Sequence, residues 1–200
     1  MKKLIVILTI MILVACSVFA EDNAAIRITA TVESKKPKFI LKAGLTADAF
    51  DRAVSDESSN MLGWETVEKS IKAEDVVVFF EIVQKGDARA VGDKYSLNIE
   101  ASGMELILNE DGSPLASDTD IYKTAKGKVS EPTAIGNEKA IVEVTNVKST
   151  AKDVATIVAE YTGRVEDGTP IAKFTVTWPK DINAPDGIYQ ASVVLKVSKQ

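Results

Sequence analysis

At 200 residues, 46% hydrophobic and 26% charged, the chain has the size of one ordinary globular domain plus a short extra segment, and wholesale disorder is excluded. A net charge of −5 argues against a nucleic-acid partner, because phosphate binding needs a clustered basic surface. Histidine is absent, which removes the commonest general base, the commonest neutral metal ligand and every triad built on imidazole.

The start of the chain carries the plainest pattern. Met1-Lys2-Lys3 is basic, and Leu4 through Ala15 is apolar without a charge. That is the pattern of a bacterial-type secretory signal, with an apolar core too short for a membrane span. Two processing readings stand. Val18-Phe19-Ala20 before Glu21 fits the small-residue rule of the ordinary signal peptidase, and this reading is favoured. It gives a signal peptide over 1–20 and a single domain over 21–200. In the other reading Leu13-Val14-Ala15-Cys16 resembles a lipobox, which makes Cys16 a lipidated first residue and gives the protein a membrane anchor. Cys16 is the sole cysteine, so cleavage after Ala20 leaves a domain without thiols, disulfides or cysteine metal sites.

From Asn23 to Ser34 the residues alternate, with Ile26, Ile28, Ala30 and Val32 on one face and Arg27, Thr29, Thr31 and Glu33 on the other: a half-buried strand. Lys35-Lys36-Pro37 breaks it, and Lys38 to Leu41 starts a second, ended by Ala43-Gly44. Residues 45–74 form a partly irregular or short-helical insertion, with helix candidates from Thr46 through Val54 and from Trp64 through Ile71.

Strands then return. Val76–Val83 is nearly continuous apolar sequence, as in a central strand covered on both faces, and Glu81 interrupts it. Turn signals follow at Gly86 and Gly92. Tyr95, Leu97 and Ile99 alternate with polar residues, Met104–Leu108 is a further strand, and Asn109-Glu110-Asp111-Gly112 is a turn. A weakly alternating stretch around Ile121 and Tyr122 reads as an edge strand. Ala140–Asn146 and Val154–Thr162 alternate again, and Glu166-Asp167-Gly168 has hairpin chemistry. In the closing segment Phe174, Val176 and Trp178 share one face. Tyr189, Ala191, Val193, Leu195 and Val197 share another. The link 179–187 between them is a hairpin or a crossover between sheets.

These elements predict an all-β, immunoglobulin-like antiparallel β-sandwich of about nine strands, since the long helices of a parallel α/β sheet are missing. Ala184-Pro185-Asp186-Gly187-Ile188-Tyr189 running into the last strand, and Val91-Gly92-Asp93-Lys94-Tyr95, resemble segments of bacterial immunoglobulin-like surface domains. They are also similar to fimbrial subunits and spore-coat-U-type secreted domains. The cysteine pair that many pilins carry is absent here. The resemblance implies a non-enzymatic structural or adhesive role at the cell envelope. Partners would be other envelope proteins or further copies of the chain, with Ile26, Ile28, Ala30 and Val32 as the apolar face of an exchanged strand. The plainer reading makes that segment the domain's own first strand, and it is preferred because alternation specifies a buried face without saying whose core it enters.

Site chemistry is sparse. Asn109, Asp111, Asp118 and Asp120 share a loop region that could hold calcium, but their spacing misses the Asp-x-Asp-x-Asp-Gly pattern, and ordinary turn chemistry explains them. Glu81 is the carboxylate to inspect for glycoside hydrolysis, which needs a second one facing it. Trp178, ending a strand where loops gather, is the candidate for stacking on a sugar ring in a second functional reading, a periplasmic or surface-anchored carbohydrate-binding module. No cofactor, metal site or catalytic residue is assigned.

Overall fold

The computed structural model describes residues 25–33, 39–48, 50, 52–54, 67–68, 71–86, 92–116, 121–130, 132–135, 140–145, 154–162 and 165–200. Within them lie strands only: β1 (Ala25–Glu33), β2 (Phe39–Gly44), β3 (Arg52–Val54), β4 (Val67–Glu68), β5 (Val76–Gln84), β6 (Lys94–Ala101) and β7 (Gly103–Leu108). They continue as β8 (Lys123–Lys126), β9 (Lys128–Val129), β10 (Thr133–Ala134), β11 (Ala140–Thr145), β12 (Val154–Tyr161), β13 (Pro170–Trp178) and β14 (Ile188–Lys199).

The strands form two sheets. Sheet A has the order β11-β12-β6-β14-β1-β4, with β7 on β14 and β8 on β7; sheet B has the order β10-β13-β5-β2-β3, with β9 on β13. The core is the seam between them. Ile26, Leu97, Ile99, Ile157, Val193 and Leu195 face it from sheet A, and Phe39, Leu41, Val78, Phe80, Ile82 and Val176 from sheet B. Each such side chain contributes about 1.5–3 kcal/mol through burial. Phe80 stacks on Phe174 at 5.0 Å between ring centroids, bridging the two middle strands of sheet B.

The continuous apolar run became β5, the central strand of sheet B, as expected. β6 and β7 lie along the same edge of β14, with the ladder interrupted at Ser102. The 179–187 link is a crossover, since β13 and β14 belong to different sheets.

The all-β sandwich of two sheets is as expected, and three details differ. One pair in it is parallel: β1 runs along β14 from Ile26↔Tyr189 to Glu33↔Lys196. β2 lies in the other sheet, so no hairpin fixes the direction of β1. No helix follows Thr46 either: Arg52–Val54 is strand, pairing Val54 with Leu41, because an unpaired edge of β2 offers more backbone bonds than a helix of two turns. Third, Glu166-Asp167-Gly168 does not close a hairpin, since β12 and β13 lie in different sheets. Gly168, at φ 79°, instead donates its N–H to the Gln84 carbonyl. The helix expected from Trp64 to Ile71 falls largely outside the described residues.

Candidate functional site

The Pro-x-Gly-x-Tyr segment entering the last strand is a structural clamp. The Tyr189 hydroxyl donates to the Pro185 carbonyl at 2.6 Å, a tyrosine folded back onto the corner preceding its own strand. Gly187 has φ 150°, and a Cβ there would come within 2.5 Å of Leu106 Cδ1 and of the Leu108 carbonyl oxygen. The motif therefore seats β14 against β7.

Trp178 is 1% exposed, and its indole N–H donates to the Ser102 carbonyl at 2.7 Å. An indole held this way has no free face for a sugar ring, which corrects the expectation of a stacking platform. The geometry explains the placement. Gly127 separates β8, in sheet A, from β9, in sheet B, so the chain crosses between sheets over the indole. A Cβ at Gly127 would approach Trp178 to 2.8 Å and Val176 to 2.7 Å. Ser102 holds the crossing: its carbonyl accepts from Gly127 N–H and its hydroxyl accepts from Ser192 N–H. Beside it, Tyr122 donates to Asp181 at 2.7 Å, which raises the pKa of that phenol, and Asp181 N–H donates to the Ile71 carbonyl. Ile182 projects from this end, 72% exposed.

The opposite end is closed by side chains. Tyr161 donates to the side-chain carbonyl of buried Gln84, whose amide donates to the Lys85 and Gly86 carbonyls at 3.0 and 3.1 Å. Tyr161 also packs edge-on against Tyr95, and Tyr95 against Phe39. Burial pushes the Tyr161 phenol well above its usual range, and the Tyr95 phenol upward, with the charge on Asp93 adding to both. Lys199 reaches Asp93 at 2.6 Å, and that bond raises the lysine's pKa. Gln84 and Ser102 were not singled out from sequence; Gln84 carries a signal, a polar residue directly ending the apolar run of β5, whereas Ser102 follows an alternating strand and carries none.

The remaining candidates resolve as follows. Ile26 and Ile28 are buried between the sheets of their own chain, and Ala30 and Val32 continue β1 in register with Val193 and Leu195. Asn109 and Asp111 build a turn: Asn109 donates to the Ser113 hydroxyl and the Pro114 carbonyl, and Asp111 accepts from Ser113 N–H at 2.8 Å. Hydrogen bonds from the Ser113 hydroxyl and the Ser113 N–H hold the Asp111 carboxyl below its usual range. Among the described residues no group of histidine, cysteine or carboxylate side chains could hold a metal ion. Cys16, Trp64, Asp118 and Asp120 lie outside the described residues.

The two outer faces differ. On sheet A, Lys196–Glu100 at 2.7 Å, Lys94–Glu160 at 3.3 Å and a Thr156–Asn98 hydrogen bond at 2.7 Å run across a polar surface. On sheet B, Glu81 is 8% exposed and lies in register between Lys42 and Lys173, with half-buried Phe79 beside it. No second carboxylate faces Glu81 across those registers. Lys173 Nζ sits 4.7 Å from the Phe50 ring centre, and these two residues with Phe79 and Thr175 line a shallow depression of about 170 Å³.

The chain is similar to one in the crystal structure of a type II cohesin–X-dockerin complex from Acetivibrio cellulolyticus, an N-terminal interface mutant. The identity is 12%, the TM-score 0.28, and the match covers 52% of this chain and 64% of that one, less than two thirds of its length. No protein-family model and no curated protein matches the sequence.

Proposed function

We propose that this chain is an exported, non-enzymatic β-sandwich module of a bacterial cell envelope, with a structural or adhesive role carried by its surfaces. The observation that carries the reading is the use made of the polar groups. Tyr161, Gln84, Trp178, Ser102 and Tyr189 all bond within the fold and close the two ends of the sandwich. They are spent on architecture, and the ordered polar face of sheet A is left to meet a partner. Export rests on the basic start and uncharged apolar run at residues 1–15, with release after Ala20 or anchoring through Cys16 as the two outcomes of processing. The carbohydrate-binding alternative is weakened because its leading residue, Trp178, is inside the core.

β1 acts here as the domain's own strand. Its exchange into another copy would first withdraw Ile26 and Ile28 from the core, at a cost of about 1.5–3 kcal/mol each. The test is an immunoblot of fractionated native cells, run unboiled and boiled. The expected result is antigen in the envelope or extracellular fraction without a boiling-sensitive ladder. Antigen confined to the cytosol would overturn export, and a ladder collapsing on boiling would establish strand-exchanged polymers instead.

A further inference from the structure

Three aspartates in this chain stand directly before a glycine: Asp111, Asp167 and Asp186. At such a step the glycine nitrogen has no Cβ to shield it from the preceding carboxyl group. The structure treats the three steps differently. Gly112 donates its N–H to the Asn109 carbonyl at 2.9 Å, and the Asp111 carboxylate accepts from Ser113 N–H at 2.8 Å. Gly168 donates to the Gln84 carbonyl at 2.9 Å, and the Asp167 carboxylate accepts from Gly86 N–H at 2.6 Å. In both, main-chain bonds engage the nitrogen and the carboxylate alike.

At the third step the main chain engages neither group. Gly187 is buried, and its N–H has no acceptor among the described residues, a rarity for a main-chain donor. The Asp186 carboxylate, 49% exposed, pairs with the Lys72 ammonium at 2.5 Å. An ion pair this open to solvent is weak and parts readily.

We propose that Asp186 is a site of self-modification, closing onto Gly187 and reopening as isoaspartate. The Gly187 nitrogen bonds to Asp186 Cγ, and its proton leaves with the carboxyl hydroxyl as water, giving a cyclic imide. Water then adds to one of the two imide carbonyls. Addition at Cγ restores aspartate. Addition at the former main-chain carbonyl breaks the original peptide bond and leaves the chain running through Cγ. One water is released and one taken up, so the product keeps the mass of the starting chain. Lys72 competes with Gly187 for the carboxylate, so the ion pair slows the closure.

The chain has no slack at this place. The Tyr189 hydroxyl donates to the Pro185 carbonyl at 2.6 Å, and a carbon added at Gly187 meets Leu106 and Leu108 at 2.5 Å. An isoaspartyl link puts one more main-chain atom between those two anchors, so ageing at Asp186 loosens the clamp that seats β14 against β7. The inference is independent of the role proposed above.

The experiment is timed incubation of the folded full chain, purified as the cell processes it, at neutral pH, followed by peptide mapping with mass spectrometry. Isoaspartyl peptides separate from aspartyl ones, and the imide is one water lighter. Isoaspartate is expected at Asp186 about tenfold faster than at Asp111 or Asp167, the effect of a main-chain hydrogen bond retained at the other two. Lys72→Met should speed the reaction at Asp186 by up to about fivefold and leave the other two steps unchanged. In the chemically unfolded chain the three rates should converge, because the bonds that separate them are gone. Equal rates in the folded chain, a faster reaction at Asp111 or Asp167, or no isoaspartate at Asp186 overturns the proposal. So does a preference for Asp186 that persists on unfolding, since it then belongs to the local sequence and not to the fold.

Discussion

The two ends of this sandwich perform one task by different means. At the Trp178 end, aromatic side chains donate to main-chain carbonyls, Trp178 to Ser102 and Tyr189 to Pro185, and glycines at 103, 127 and 187 let backbone pass where a Cβ would collide. At the Tyr161 end the partners are side chains: Tyr161 on Gln84, Tyr95 on Asp93, Lys199 on Asp93. The difference lies in the acceptor each buried donor meets. Where the chain crosses between sheets at Gly127, packed on the indole, the Ser102 carbonyl accepts from Trp178; at the other end the buried Gln84 side chain accepts from Tyr161. An end closed by backbone fails when its shape is altered. An end closed by side chains fails when a donor or a charge is removed.

The largest effect should come from the first end. Trp178→Ala empties a fully buried site and removes the donor to Ser102, and chemical denaturation should show a loss of about 3–5 kcal/mol. Gly127→Ala should cost about 1–3 kcal/mol in the same measurement, because the added methyl meets the indole and Val176 at less than 3 Å. Tyr161→Phe at the other end should cost about 1–3 kcal/mol, the penalty for leaving a buried amide oxygen without its donor. If Gly127→Ala proved neutral while Tyr161→Phe was severe, the contrast between the ends would be reversed.

Alkaline titration sharpens the comparison further. The folded state holds the Tyr161 and Tyr189 protons more tightly than the unfolded chain, whose tyrosines titrate near about 10. The stability these groups contribute is therefore complete below that pH and declines as the pH rises past it. Tyr161→Phe and Tyr189→Phe should each remove about one proton from the slope of stability against pH in that range. The smallest effect belongs to Asp93→Asn, which loosens an ion pair with an exposed lysine and should shift the melting temperature only slightly, less at high salt.

Much of this fold is visible in the sequence where burial alternates. Residues 76–83, 95–99, 172–178 and 189–195 read as strands because one or both faces are covered, and the structure buries those faces. What alternation does not carry is partnership. It does not say that β1 runs parallel to β14, or that Glu166-Asp167-Gly168 links strands of different sheets, because turn chemistry is local and sheet assignment is not. Thr46–Val54 failed for a related reason: a short stretch follows whichever partner offers hydrogen bonds, here β2. Trp178 was misjudged from its place at a strand end, since the strand crossing that covers it lies some fifty residues earlier, at Gly127, where nothing local points to an indole.

Export is the proposal on which the rest depends, and the intact mass of the protein isolated from native cells tests it most directly. The expected result is a polypeptide beginning at Glu21, or a shorter truncation carrying acyl mass on Cys16, recovered outside the cytoplasm. A polypeptide that retains Met1 through Ala20 unmodified and stays in the cytosol would contradict it.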